Sequence, residues 1–326
     1  MTTFFFLFSL TVAWSGWNLF NPIFSHKHLA TLSFFAGWLV GELALHVIFW
    51  QILGVGVFVL IGAVTGFFGA AGFLLCAAGW AAMGRYYYLS TFAKQEVESA
   101  LAGLDIELER ELAKQQPSKT LLRNPFRTTF KQPDPAIETI QNVQFGDFGQ
   151  KLDIRRARIR SDGIKQPVLL QIHGGAWTQN YGSKNEQAIP LMHHMARLGW
   201  VCVAASYRLS PAATFPEHII DCKQALIWIK DHIAEYGGDP DFIAVTGGSA
   251  GGHLSSLLAL SANHAAFQPG FEDRDTKVQA AVPFYGVYDF TDSARHNRND
   301  GLLDILEDSV MKRSLADNEV AFRDAS

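Results

Sequence analysis

The chain has 326 residues, of which 48% are hydrophobic, and its formal net charge at pH 7 is −4. This length allows two domains, and so small a charge gives no reason to expect a nucleic-acid partner. The 3 cysteines are too few and too scattered for a disulfide framework or a metal cluster. The sequence therefore predicts neither a metal ion nor a cofactor.

Residues 1–84 are strongly apolar and carry only two charged side chains besides histidine, Lys27 and Glu42. A membrane-spanning helix needs about 20 mostly apolar residues. The apolar stretches are Thr3–Phe20, Leu29–Trp50 and Ile52–Met83. We therefore predict a transmembrane region of three helices, with two as the alternative. A signal peptide is the rival interpretation of the first stretch, but no Lys or Arg precedes Lys27, so the usual basic segment is missing.

Polar and small residues interrupt this apolar region. Glu42 and His46 are four residues apart, so a continuous helix would place them on one face. An ionisable pair within a span suggests ion or proton handling, but with no second such cluster we favour a pair that satisfies itself between packed helices. Glycines suited to close helix packing recur at Gly62, Gly66, Gly69 and Gly72.

The few basic residues give the orientation of the predicted spans. Lys27 lies in the first loop, and Arg85 and Lys94 follow the last span. Positive residues concentrate on the cytoplasmic side of membranes. With three spans these two regions share one side, so the domain that follows is predicted to be cytoplasmic.

Residues 85–135 form the predicted connection between the membrane region and the rest of the chain. Apolar residues at helical spacing within residues 90–116 are Val97, Leu101, Leu104, Leu108 and Leu112. This stripe predicts an amphipathic helix that forms a homodimer or lies on the lipid bilayer; a helix packed onto the following domain is an equal alternative. Residues 117–135 are predicted to be a linker.

Residues 136–326 have the alternating pattern of an α/β domain. Two leading strands, Gln141–Phe145 and Leu152–Ile159, are predicted to be antiparallel. The strands that follow are Val168–Ile172, Trp200–Ser206, Phe242–Thr246 and Val278–Phe284, and the helices between them include Glu186–Leu198 and Glu217–Ala234. Strands that alternate with helices of this length predict a mostly parallel, doubly wound sheet.

Two glycine-rich motifs each follow a predicted strand. Gly247-Gly248-Ser249-Ala250-Gly251 is a G-x-S-x-G sequence between a strand and a helix, which predicts a nucleophile elbow with Ser249 as nucleophile. His173-Gly174-Gly175 predicts an oxyanion loop whose donors are the N–H groups of Gly174, Gly175 and Ala250. His173 precedes the serine and is interpreted as a loop-bracing residue rather than the base.

The combined motifs resemble the hormone-sensitive-lipase-like branch of the α/β-hydrolases. The residues that carry the resemblance are H-G-G-A-W from His173, S-Y-R-L-S-P from Ser206, F-P at Phe215, G-G-S-A-G-G-H from Gly247 and F-Y-G-V-Y-D-F from Phe284. The resemblance covers about residue 143 onward and implies the serine and oxyanion roles given above. Three further matching positions, Tyr207, Arg208 and Asp221, are read as structural supports.

An acid and a histidine should follow the serine in this fold, in that order. After Gly286 only 40 residues remain, and each further strand–helix crossover takes about 30 residues. We therefore expect the chain to be C-terminally truncated, with an exposed edge at the last strand, and we assign neither an acid nor a base. The possible substitutes are Asp289, His253, His264 and His296.

The sequence thus predicts a membrane-anchored serine carboxylesterase or lipase-like hydrolase for a small, hydrophobic ester. Trp177, Phe284 and Tyr285 suggest a modestly hydrophobic acyl group. An arylamide deacylase or a prenylcysteine-type methylesterase is the alternative on the same fold. A catalytically inert membrane interaction protein is the alternative from another class, because the triad lacks its acid and base. As a fragment, the chain is expected to aggregate and to have negligible activity.

Overall fold

The computed structural model describes residues 1–23, 27–101, 134–159, 163, 165–179, 181–293 and 300–326. It divides into Met1–Lys131, here called the helical unit, and Gln132–Ser326, the sheet unit. Most of the predicted amphipathic stripe within residues 90–116, and the linker up to residue 133, lie outside the described residues. The predicted domain boundaries at residues 84 and 135 stay predictions.

The helical unit contains five described helices. They are α1 (Thr2–Asn18), α2 (Lys27–Glu42), α3 (Ala44–Leu60), α4 (Gly66–Ser90) and α5 (Ala93–Leu101). In the described part of the chain, one helical segment is long and apolar enough to cross a bilayer. It is Gly66–Ala100, which contains α4 and most of α5 and has a mean hydropathy of 1.6. Leu29–Glu42 and Ala44–Leu60 pass the same criterion together, but they are bent by 95° at a break.

The structure divides the predicted spans differently from the apolar stretches. Leu29–Trp50 is broken at Leu43, so Glu42 and His46 do not share one continuous helix. Ile52–Met83 is divided between α3 and α4. Gly62 and Gly66 have φ values of +69° and +64° and lie at this break, because glycine adopts positive φ without a steric penalty. The prediction that these two glycines form a helix-packing face is therefore wrong.

Close packing in the helical unit uses Gly72, one of the predicted glycines, together with Gly16 and Gly79. A Cβ atom on Gly16 of α1 would lie 2.6 Å from the carbonyl oxygen of Gly79 in α4, and one on Gly72 would lie 2.7 Å from the Phe5 ring. The backbones of α1 and α4 can approach this closely only without side chains at these positions. A buried hydrogen bond of 2.7 Å from Asn18 Nδ2 to the Ser33 carbonyl oxygen joins α1 to α2.

The sheet unit is built on six strands. They are β1 (Ile137–Phe145), β2 (Gln150–Ala157), β3 (Gln166–Ile172), β4 (Val201–Ala205), β5 (Gly238–Gly248) and β6 (Ala280–Phe284), in the spatial order β1-β2-β4-β3-β5-β6. β1 and β2 are antiparallel, and β4, β3, β5 and β6 are mutually parallel. The predicted antiparallel pair followed by a parallel sheet is confirmed.

Helices cover both faces of this sheet. The helices that follow β3, β4 and β5 are α6 (Ile189–Arg197), α7 (Glu217–His232) and α8 (Ala250–Leu260). Leu170 of β3 packs in one core cluster with Leu254 of α8. Its neighbour Leu169 belongs to another cluster, with Met192 of α6. Because successive strand residues point to opposite faces, the sheet is doubly covered, as predicted for an α/β-hydrolase.

The C-terminal segment returns to this core. It contains α9 (Asp300–Ile305), one turn of π-helix (Leu306–Val310) and α10 (Glu319–Asp324). Phe322 is fully buried in the core cluster that contains Leu170.

Candidate active site

Ser249 lies at a sharp turn between β5 and α8. Its φ and ψ angles are 56° and −123°, a combination that costs a non-glycine residue about 1–3 kcal/mol. The turn is held by hydrogen bonds from Ser249 N–H to the Phe284 carbonyl oxygen and from His253 N–H to the Ser249 carbonyl oxygen, both 3.0 Å. A Cβ atom on Gly251 would collide with the carbonyl oxygen of Ile172. These features form the strained, glycine-flanked turn that the sequence predicts for a nucleophile elbow.

The oxyanion loop, residues 173–177, follows β3 directly beside this turn. Ile172 of β3 pairs with Gly247 of β5, so both motifs begin at the same edge of the sheet. A Cβ atom on Gly174 would lie 3.2 Å from Ser249 Cβ. The structure therefore brings the predicted oxyanion residues and the serine together.

The three predicted oxyanion donors differ in their hydrogen bonding. Gly174 N–H already donates to Gln187 Oε1 at 2.6 Å, which differs from the prediction that it is available to a substrate. No described residue accepts a hydrogen bond from Gly175 N–H. Ala250 is the first residue of α8, where N–H groups have no partner within the helix. Gly175 and Ala250 are thus the better placed donors.

His173 braces the oxyanion loop, in agreement with its interpretation from the sequence. Its Nδ1–H donates to the Gly174 carbonyl oxygen at 2.8 Å, and its ring stacks on Tyr207 with centroids 4.5 Å apart. Tyr207 O–H donates to the His173 carbonyl oxygen at 3.0 Å. Burial lowers the pKa of His173 below its ordinary value, so the ring is neutral at pH 7.

His253 is held in the core and is not placed as a base. Its Nδ1 accepts a hydrogen bond from Trp177 Nε1–H at 3.3 Å, and its Nε2–H donates to the Ala325 carbonyl oxygen at 2.6 Å. The ring also stacks on Phe290 at 4.5 Å. Burial lowers the pKa of His253 to about 4. Trp177 is itself only 2% exposed, so it supports the loop and does not line an acyl pocket.

Of the other possible substitutes for the base and acid, the structure describes His264 and Asp289, and neither is hydrogen-bonded to Ser249. His264 is an exposed residue after α8, and His296 lies outside the described residues. Asp289 accepts hydrogen bonds from Thr291 and Ser293. These hydrogen bonds lower the pKa of Asp289 to about 2, and the one from the Thr291 side chain has the largest effect. Within the described ranges no histidine is hydrogen-bonded to the Ser249 hydroxyl.

The predicted structural supports lie beside the site. Arg208 binds the buried Asp221 through its Nε and Nη2 atoms, with a shortest distance of 2.8 Å. It also pairs with Glu217 at 2.6 Å and lies over the Phe148 ring at 4.1 Å. Hydrogen bonding to Asp221 raises the pKa of Arg208.

Two features beside the oxyanion loop could not be predicted from the sequence. One is Gln187, which binds Gly174, and the other is a buried ion pair in the segment that contains Gln187. Lys184 Nζ lies 2.5 Å from Asp153 Oδ1, and both side chains are almost fully buried. Lys184 lies in the loop between β3 and α6, Asp153 lies in β2, and 31 residues separate them. No local motif links these positions, so only the folded structure identifies the pair.

Buried neutral histidines should make the sheet unit sensitive to acid. Histidine in the unfolded chain titrates near 6.5, whereas burial lowers the pKa of His253 to about 4 and that of His218 to about 3. Between these values the unfolded state binds more protons, so the free energy of unfolding falls as pH decreases from about 6.5 to 4, by up to about 1.4 kcal/mol per pH unit for each group.

The change in the free energy of unfolding with pH is measured by urea titration between pH 4 and 7. Hydrogen exchange of the strands serves as the probe for the sheet unit. His253→Asn should make the slope shallower, and the control His264→Asn, at an exposed position, should leave it unchanged. Equal slopes in both variants would contradict the assignment.

Comparison with known proteins connects the sheet unit to esterases. The family described as BD-FAE matches residues 152–326, which is more than half of the chain. The chain is 57% identical over 190 residues to the probable carboxylic ester hydrolase LipM of Mycobacterium tuberculosis, covering 57% of this chain and 43% of that protein. It is 50% identical over 187 residues to esterase LipQ of the same organism, covering 57% and 44%. The chain thus spans less than half the length of these curated relatives.

Solved structures show the same fold. A bifunctional GH43-CE protein of Bacteroides eggerthii aligns with a TM-score of 0.51 and 25% identity, covering 57% of this chain and 28% of that one. A truncated carbohydrate esterase from gut microbiota aligns with a TM-score of 0.50 and 20% identity, covering 58% and 70%.

Proposed function

Because this chain belongs to the BD-FAE family of esterase-like α/β-hydrolases, we propose that it is a serine carboxylesterase with Ser249 as its nucleophile. The observation that carries the proposal is the strained turn at Ser249 beside the glycine backbone of the oxyanion loop. A structural turn has no need of a serine in this conformation. A nucleophile does, because the turn exposes its hydroxyl at the end of the sheet.

The proposed reaction has two stages. Ser249 Oγ attacks the ester carbonyl carbon and loses its proton to a general base. The N–H groups of Gly175 and Ala250 stabilise the oxyanion, with Gly174 N–H retained by Gln187. Collapse of the tetrahedral intermediate breaks the ester C–O bond, the alcohol leaves with a proton, and water then hydrolyses the acyl-enzyme to the acid.

We propose a modestly hydrophobic ester as the substrate class. Phe284 and Tyr285 are 46% and 80% exposed at the end of β6. A Cβ atom on Gly248 would lie 2.8 Å from the Tyr285 hydroxyl oxygen. Tyr285 therefore contacts the backbone next to the nucleophile, where it can border a bound acyl or alcohol group.

The proposal is tested with p-nitrophenyl esters of increasing acyl length. With the natural full-length protein, we expect turnover of short and medium esters, and kcat/KM should rise as acyl methylenes are added until the apolar surface is filled. Each buried methylene contributes about 0.8 kcal/mol, which is roughly a fourfold effect. Absence of hydrolysis for every ester would contradict the proposal and favour the inert interaction protein.

The second candidate function is amide hydrolysis at the same serine. Its support is the 30% identity over 147 residues to the arylacetamide deacetylase of Bos taurus, which covers 44% of this chain and 34% of that protein. Matched ester and anilide substrates, supplied together, discriminate the two functions by the ratio of their kcat/KM values. A ratio that favours the anilide would make the chain an arylamide deacylase.

We further propose that the helical unit anchors the protein to a membrane by more than one span, with the sheet unit in the cytoplasm. The support is the apolar Gly66–Ala100 helix together with the bent pair that precedes it. Alkaline carbonate extraction of membranes should leave the protein in the pellet. A protease added to sealed cells should leave the sheet unit intact, and cleavage of that unit would contradict the orientation.

A further inference from the structure

We propose that Gln187 is a positioning residue that fixes the peptide planes of the oxyanion loop so that Gly175 N–H faces the developing oxyanion. This inference deepens the proposed function and rests on it. Gln187 is half-buried just before α6, outside both motifs.

The first peptide plane is held at both of its ends. Gln187 Oε1 accepts a hydrogen bond of 2.6 Å from Gly174 N–H. The carbonyl oxygen of the same peptide, that of His173, accepts a hydrogen bond of 3.0 Å from Tyr207 O–H. A trans peptide is planar, and its N–H and C=O groups point in opposite directions. These two side chains therefore prevent the His173–Gly174 peptide from rotating.

The second peptide plane follows from the first. The Gly174 carbonyl oxygen accepts the Nδ1–H of His173 at 2.8 Å. The Gly175 N–H of that peptide must then point to the side opposite the His173 ring, where no described residue accepts its hydrogen. Gly174 has no side chain to fix its conformation, and Gly175 has a φ of 122° that other residues rarely adopt. Without external hydrogen bonds this glycine pair would sample many orientations.

The segment that presents Gln187 is itself anchored. Three residues earlier, Lys184 forms the buried ion pair with Asp153 of β2 and also contacts the Asn142 side chain at 3.3 Å. Gly182 leaves space for the Gln187 amide, because a Cβ atom there would lie 2.5 Å from Gln187 Nε2. The Lys184–Asp153 ion pair thus holds the segment to β2, and Gln187 of the same segment binds the oxyanion loop.

The test uses the natural full-length protein and compares Gln187→Met, Gln187→Glu and the control Glu186→Met at an exposed neighbouring position. Methionine keeps the size of the side chain but lacks the acceptor, whereas glutamate keeps an oxygen that can accept the Gly174 hydrogen. The first readout is hydrogen exchange of the Gly174 amide. We expect it to be slow in the wild type, Gln187→Glu and the control, and at least tenfold faster in Gln187→Met.

The second readout is the rate at which a fluorophosphonate labels the serine, together with kcat and KM for p-nitrophenyl acetate. A misplaced oxyanion donor should lower kcat and the labelling rate by about 10- to 100-fold in Gln187→Met, with KM changed by less than about twofold. The control should retain wild-type values. Equal exchange in wild type and Gln187→Met, or labelling that is equal or faster in the variant, would overturn the proposal.

The two hypotheses fail in distinguishable ways. If the wild-type serine is not labelled at all, the proposed esterase function fails. The exchange experiment still decides whether Gln187 holds the loop, because it needs no activity.

Discussion

In the natural full-length protein, Ser249→Ala should reduce kcat for ester hydrolysis by about 10⁵- to 10⁶-fold, which is the effect of removing the nucleophile from a serine hydrolase. Members of such a catalytic group act as a unit, so the remaining rate should reflect only the oxyanion donors and substrate binding. The substitution should not disturb the core, because it removes only a hydroxyl group from a half-buried residue at the turn. Steady-state kinetics with p-nitrophenyl acetate measures the loss.

Ser256→Ala is the matched control for this variant. Ser256 lies on α8, two turns after the nucleophile, and is half-buried like Ser249. We expect it to retain kcat within about twofold, since a surface hydroxyl contributes little. Retention of more than a few per cent of activity by Ser249→Ala would contradict the assignment of the nucleophile.

Asp153→Ala should destabilise the sheet unit by about 3–5 kcal/mol, because it leaves buried cations without their carboxylate. Asp153 is fully buried, and its oxygens lie 2.5 Å from Lys184 Nζ and 3.5 Å from Arg155 Nη2. Its Oδ1 also accepts the Asn142 N–H at 2.9 Å. The same change should loosen the segment that presents Gln187, so activity should fall even at temperatures where the unit stays folded.

The free energy of unfolding is measured by urea titration, with hydrogen exchange of β2 and β4 as the probe so that the helical unit does not contribute. Asp147→Ala is the control, at an exposed position six residues away on the β1–β2 turn, and should change stability by less than about 0.5 kcal/mol. Similar values for the two variants would show that the ion pair is not structurally important.

The sheet unit could be predicted largely from local patterns. Runs such as Val168–Ile172, followed by amphipathic helices, have a periodicity that identifies strands and helices without tertiary information. The two glycine-rich motifs depend on glycines and a serine at fixed spacing after such strands. Their meeting at one edge of the sheet follows from parallel pairing, since Ile172 pairs with Gly247.

The helical unit was predicted less well, for a physical reason. A glycine pair such as Gly62 and Gly66 suits either a helix-packing face or a chain reversal, and their positive φ values place them at the break between α3 and α4. Apolar composition alone does not reveal the break at Leu43 either. In a segment that is almost entirely apolar, hydrophobic periodicity does not show where a helix begins and ends. Packing then determines the ends of the helices.

The supports of the oxyanion loop were also beyond sequence reasoning. Gln187 looks like any polar loop residue, and its partner Gly174 is 13 residues away. Trp177 was expected to border the substrate, but it is buried against His253 and Phe290. Such contacts depend on how the loops fold over the sheet, and the spacing of residues in the sequence does not predict them.

The most direct test of the central claim is mass-spectrometric mapping of the residue that a fluorophosphonate modifies in the purified natural full-length protein. The reagent reacts with a serine that is activated as a nucleophile. We expect a single phosphonylated peptide carrying the adduct on Ser249, with no adduct in Ser249→Ala or in heat-unfolded protein. An unmodified Ser249 in the folded protein, or an adduct on a different residue, would contradict the assignment of this chain as a serine hydrolase acting through Ser249.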